Sequence, residues 1–255
     1  MTIVDASAAF LERCALALLS RGRWRIGAAA GLVGVVVALV PVLGLRPGPT
    51  RGAGFITVCK GSSCDHHTIQ AAVHAANAGD TIKVLEEEHT ESGILVDKSL
   101  KIAGGNIVRT VVQAAEVEGQ ASERVFEIAG SADVVVEDMI IRHGRVIGNL
   151  ARGGGILNRG ILELRRVTVM ANEAIGTPGD PGGKAEGGGI YNEGTLDIVG
   201  CTVSGNEARG GDGASTGDNG GEAHGGGLFS IDGSVAVVNT TVSGNKARGG
   251  ASGGG

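Results

Sequence analysis

GGGIYNEGTLDIVGCTVSGN, residues 187–206, decides the fold of this chain because it recurs. Residues 153–172 read GGGILNRGILELRRVTVMAN, and residues 225–245 read GGGLFSIDGSVAVVNTTVSGN. Each copy is a glycine triplet, a short apolar step, a turn, and two alternating runs that close on Val-x-x-Asn. Self-similarity at this spacing marks stacked units in which each unit touches only its neighbours. Inside a copy the period is two. Leu196, Ile198, Cys201 and Val203 share one face, and Asp197, Val199, Thr202 and Ser204 share the other. The same frame gives Leu162, Leu164, Val167 and Val169 upstream, and Val235, Val237, Thr240 and Val242 downstream. Alternation with β-branched enrichment means strand. Gly200 interrupts it, with Arg166 and Asn239 as counterparts, so a bend is expected there. The glycine triplet with Ile156, Ile190 or Leu228 makes a third, shorter strand. Three strands per unit, with equivalent strands stacked in parallel, predict an all-β fold: a single-stranded right-handed parallel β-helix, or solenoid, right-handedness being the rule for parallel crossovers.

Asn172, Asn206 and Asn245 recur at the end of each copy, where the second alternating run closes. Two readings stay open. Stacked amides can bond to one another as a structural ladder, or Asn merely suits a turn with positive φ.

Composition agrees with a narrow interior. Aromatics are 2% and glycine is 47 of 255 residues, whereas an ordinary core draws on bulky rings. A formal net charge of −5, with no basic patch interleaved with aromatics, argues against a nucleic-acid partner.

In chain order, residues 1–25 form a lead containing Arg21, Arg23 and Arg25, and residues 26–45 (IGAAAGLVGVVVALVPVLGL) carry no charge. A run of about 20 apolar residues can cross a bilayer as a helix. It is read either as an uncleaved transmembrane anchor or as the hydrophobic part of a signal peptide, with Val42 and Gly44 as small residues before a cleavage point. Either reading exports the remainder of the chain, and Cys14 stays cytoplasmic with an anchor. Residues 46–55 are a Pro/Gly linker, and residues 56–255 hold the β-helix. Thr68 N-caps an amphipathic helix expected over 68–78, with Gly79 as its C′ residue, covering the first turn of the stack. Strands are expected at 81–85, 111–114, 125–128 and 134–141, with Asp138 at the bend position. Gly-rich insertions at 175–186 and 207–224 come after the Asn in successive units and are expected to emerge side by side as flexible solvated loops. The closing GGASGGG has the form of the opening of a further unit, so more units are expected beyond the last glycine.

TIQAAVHAANAGDTIKV (68–84) followed by ILVDKSLKIAGG (94–105) resembles the opening of the pectin-lyase-like right-handed β-helix superfamily. The matches fall at 68–70, 79–82 and 98–105. The chain departs at 86–91, EEEHTE, where the turn glycine is missing and His89 stands in the place of a usual tyrosine. The later units resemble the GGGI…VxxN repeats of bacterial polymorphic outer-membrane and surface proteins. The resemblance implies a β-helix, and it implies either a surface protein or a polysaccharide lyase or glycoside hydrolase.

Chemistry-bearing residues are few. Cys59 and Cys64 lie five apart in the exported part. They read as a local disulfide, or as a metal site with His66 or His67, although the spacing fits no standard zinc pattern. Cys201 falls in the inward frame and reads as core. Outward residues of equivalent strands form the rows Glu163, Asp197, Ala236 and Thr168, Thr202, Thr241. The first lacks the repeating Asp with Arg of a catalytic groove, and the second reads as a solvated strand face. Asp180, Asp212 and Asp218 lie in the insertions, but Ser215 stands where the calcium nonapeptide requires Asp. No catalytic, cofactor or metal residue is therefore expected, and calcium has no motif behind it. The sequence points to a non-catalytic exported or membrane-tethered protein of the cell surface, binding a polysaccharide or a surface partner. The alternative is a lyase or hydrolase whose active units are missing or degenerate.

Overall fold

In the computed structural model the chain divides into two units, Met1–Pro49 and Thr50–Gly255. The structure describes residues 53–105 and 109–254, all within the second unit. The lead and the apolar segment 26–45 lie outside the described residues. Among those described, no helix is long and apolar enough to cross a membrane.

The described chain is nearly all strand, with one helix, and the strands form five parallel sheets. Sheet A has seven strands: Phe55–Val58, Thr81–Val84, Leu100–Gly104, Asp133–Glu137, Ile161–Arg165, Thr195–Val199 and Ser234–Val238. Sheet B joins Glu88–Thr90, Thr110–Gln113, Met139–Arg142, Thr168–Met170, Thr202–Ser204 and Thr241–Ser243. Sheet C joins Ile94–Val96, Phe126–Ile128, Ile156–Asn158, Ile190–Asn192 and Leu228–Ser230. Equivalent residues of the repeats face one another in register. Val135, Glu163, Asp197 and Ala236 are successive partners in sheet A, as are Thr168, Thr202 and Thr241 in sheet B.

Alternation explains the core. The inward residues of sheets A, B and C meet in one cluster that includes Leu162, Leu164, Val167 and Val169 with Leu196, Ile198, Cys201 and Val203. Burying one such aliphatic side chain is worth roughly 1.5–3 kcal/mol. In the last described strands the same frame stays open: Val237 is 51% and Val242 61% exposed, because no described strand pairs with their outer edge. The bend between sheets A and B is a single residue in the left-handed region, at Asp138 (φ 58°), Arg166 (φ 53°), Gly200 (φ 64°) and Asn239 (φ 48°). One such residue turns the chain and restores the inward frame on the next sheet.

Two expectations need correction. The helix spans Ile69–Ala75, not 68–78, and its C-cap is Ala76. The Asp80 carboxylate accepts from Asn77 N at 2.8 Å and Gly54 N at 2.6 Å, which draws the chain out of the helix early. Gly79 (φ 89°) serves the turn after it. Thr68 does cap the start, accepting from Ala71 N at 3.1 Å. Ile69, Ala72 and Val73 are buried against the first strands of sheets A and C.

The Gly-rich insertions are solvated loops only in their middles, around 178–181 and 212–219; their ends are strands. They supply strands of two further sheets. Sheet D joins Arg145–Gly148, Glu173–Gly176, Glu207–Arg209 and Lys246–Arg248, and sheet E joins Leu150–Arg152, Lys184–Glu186 and Ala223–His224. Ala151, Ala174, Ala185 and Ala208 are fully buried in a second small core belonging to these two sheets. Its fully buried residues contribute only methyl groups, with Val146 and Ala223 packed at its margin, so the backbones lie close. Beyond it, backbone hydrogen bonds link glycine to glycine: Gly250 N to Gly221 O (2.8 Å), Gly221 N to Gly211 O (2.7 Å), and Gly211 N to Gly183 O (2.9 Å). Composition alone reads glycine as flexibility. Here glycine permits contact between backbones that any side chain would hold apart.

Candidate functional site

The asparagine column is bonded from unit to unit, with Asn172 and Asn206 buried and Asn245 half-buried. Asn172 Nδ2 donates to Asn206 Oδ1 at 2.9 Å, and Asn206 Nδ2 donates to Asn245 Oδ1 at 2.9 Å. The same oxygens accept the backbone amides of Asn172 (3.1 Å) and Asn206 (3.0 Å). The left-handed residue lies one position earlier, at Ala171 (φ 51°), Gly205 (φ 64°) and Gly244 (φ 62°). Of the two readings of these asparagines, the geometry is that of side chains bonding between units. A second column escaped the sequence reading. Asn158 Nδ2 donates to Asn192 Oδ1 at 2.7 Å, and Asn192 Nδ2 donates to Ser230 Oγ at 2.9 Å. Its signal was present in GGGILN, GGGIYN and GGGLFS, where the sixth residue is polar and small each time.

Cys59 and Cys64 are joined by a disulfide, with their Cα atoms 5.7 Å apart. Neither sulfur is then a thiolate donor, which removes the metal alternative with His66 or His67. His67 Nδ1 instead lies 2.9 Å from the Cys59 carbonyl. Cys201 is buried, and desolvation pushes its thiol up. Its Sγ contacts Leu164 O at 3.4 Å and Val199 O at 3.3 Å.

Of the outward acidic residues, Glu163 and Asp138 are held in local pairs, while Asp197 is exposed. Glu163 accepts from Arg165 at 2.5 and 2.7 Å, and this bonding holds its carboxyl below the usual range. Asp138 is lowered in the same way by Arg166. Thr168 departs from the expected solvated row: it is buried, and it accepts from Arg109 Nη1 at 2.5 Å. In the insertions, Asp212 accepts from Ala251 N at 2.8 Å and Asp218 from Ser215 N at 2.7 Å. Among the described residues, no three His, Cys, Asp or Glu side chains gather as metal ligands.

His89 occupies an inward position of strand Glu88–Thr90 and is almost fully buried. Its Nδ1 lies 3.1 Å from Glu86 and its Nε2 2.8 Å from Glu91. Glu91 also accepts from Ile69 N at 2.6 Å and Gln70 N at 2.9 Å, holding the start of the helix. Desolvation presses the imidazole pKa down, but hydrogen bonds to Glu91 and Glu86 outweigh it, and the net shift is upward. A folded pKa above the unfolded value stabilises the protein fully below the unfolded pKa, about 6.5, and that contribution is lost as pH rises through the folded value. Melting temperatures between pH 5.5 and 8.5 should therefore fall across this window in the native chain, and the fall should shrink in His89→Gln. An equal fall in both proteins would remove His89 from the account.

Sheet D carries a cleft of about 250 Å³ on its outer face, lined by Arg145, Glu173, Ile175, Glu207, Arg209 and Arg248. A second cleft of about 220 Å³ shares Arg145, Ile175 and Arg209 and extends to Ile147 and Pro178. Ile175, Glu207 and Arg209 come from stretches that the sequence reading took for loops, so the cleft was not foreseen. No family model, no curated protein and no solved structure matches the chain.

Proposed function

We propose that the chain is a right-handed parallel β-helix of the pectin-lyase-like kind, exported or tethered at the cell surface, that binds a surface partner or a polysaccharide without catalysis. In-register parallel pairing of repeats 28, 34 and 39 residues apart supports the stacked architecture. Seven strands at the usual spacing of about 4.8 Å give a stack about 30 Å long. The disulfide at Cys59–Cys64 supports an oxidising, extracellular or cell-envelope location. The apolar segment 26–45 supplies the tether or signal in this reading.

One observation supports the non-catalytic part. In the outward row of sheet A, Val135 and Ala236 flank Glu163 and Asp197, and the Glu163 carboxylate is held by Arg165 at 2.5 Å, so the row offers no run of free carboxylates beside a free arginine. The full chain should bind immobilised cell-wall material or glycans and release no reducing or unsaturated ends from polygalacturonate or neutral glucans. Sustained release that scales with protein concentration would replace this reading with that of a lyase or hydrolase.

A further inference from the structure

The outer face of sheet D carries the two described arginines that have no side-chain partner, Arg209 and Arg248. Register sets Arg145, Glu173, Glu207 and Lys246 side by side in one row, and Ile147, Ile175, Arg209 and Arg248 in another. Arg145 Nε lies 3.1 Å from Glu173 Oε2, so that pair is neutralised. Every other described arginine outside this face also has a polar side-chain partner, a carboxylate in each case except Arg109, which bonds Thr168. Arg209 and Arg248 have none. They are adjacent, exposed, and separated by about one strand spacing. Ile175 neighbours Arg209 in this row, and Ile147, one strand further, is 50% exposed.

We propose that this face binds an extended acidic segment of a partner protein, with carboxylates on Arg209 and Arg248 and aliphatic side chains on Ile147 and Ile175. Guanidinium forks hold carboxylates in two-point contacts, and arginine beside apolar side chains is the composition of interface anchors. The Glu207 carboxylate, also without a side-chain partner, accepts a backbone N–H of the segment. A polypeptide fits better than a saccharide because sugar C–H faces pack on aromatic rings, and neither cleft is lined by one. The inference rests on the reading of the chain as a binding protein and names the class of its partner.

The test titrates the full chain, held in a non-glycosidic detergent, into fluorescein-labelled acetyl-(Glu-Leu)4-amide and follows anisotropy. We expect saturable binding that weakens as salt is raised. We also expect at least about a tenfold loss in the double variant R209A/R248A. The control R165A/R166A removes two charges from sheet A and its bend and should bind as the native chain does. Melting temperatures show that both variants are folded. Equal binding by R209A/R248A, equal binding of (Lys-Leu)4, or binding of oligogalacturonate in place of the peptide would overturn the proposal. Native attachment to surfaces that R209A/R248A retains in full ends this inference alone, whereas a native chain that attaches to nothing ends the reading beneath it.

Discussion

Asn206→Ala should destabilise the protein by about 3–5 kcal/mol, and lower its melting temperature by on the order of 10 °C. The substitution removes the acceptor for Asn172 N and Nδ2 and the donor to Val169 O (3.0 Å) and Asn245 Oδ1. These groups lie where water does not reach Asn172 or Asn206. A buried polar group left without a partner costs about 1–3 kcal/mol, more than its hydrogen bond contributes when made. Asn245→Ala is the internal comparison. Asn245 is only half-buried and bonds one neighbouring unit where Asn206 bonds two, so its loss should cost about 1–2 kcal/mol. Equal effects at the two positions in chemical denaturation would mean that asparagine serves each turn locally and that no bonding runs between units.

Gly211→Ala should be worse than its small size suggests, costing about 3 kcal/mol or more and loosening sheet D and sheet E. A Cβ at 211 would lie 1.9 Å from Thr177 O, a backbone atom with no rotamer to change. Gly205→Ala separates this crowding from backbone strain. Gly205 has φ 64°, but a Cβ there would meet nothing within 4 Å, and its counterpart one unit earlier is Ala171 at φ 51°. That variant should cost only about 1 kcal/mol. Comparable losses at 205 and 211 would show that the insertion is as yielding as its composition implies.

The contrast shows what the sequence conveyed. The inward frame of Leu196, Ile198, Cys201 and Val203, the bend at Gly200 and the column at Asn206 were legible because repetition fixes register: a residue read in one unit predicts its neighbour in the next. Sheets D and E were not legible. Their inward residues are single alanines such as Ala174, between Glu173 and Ile175, and Ala208, between Glu207 and Arg209, and a methyl group gives too little hydrophobic contrast to mark a strand. The cleft was missed for the same reason, since Arg209 and Arg248 meet only once those strands are paired. His89 was misjudged differently. It looked like a departure at a turn, whereas two carboxylates let it occupy an inward position.

Stacking of the repeats in register is what the whole account depends on, and paired nitroxide labels test it most directly. Labels at Glu163, Asp197 and Ala236, introduced two at a time as cysteines, point outward from successive strands of sheet A. Cys14 is replaced by serine in the labelled chain, and Cys201 is buried beyond reach of the reagent. Continuous-wave spectra should show strong dipolar broadening for 163 with 197 and for 197 with 236, at about one strand spacing, and weaker broadening for 163 with 236 at about 10 Å. Narrow spectra for all three pairs, or broadening strongest for 163 with 236, would contradict it.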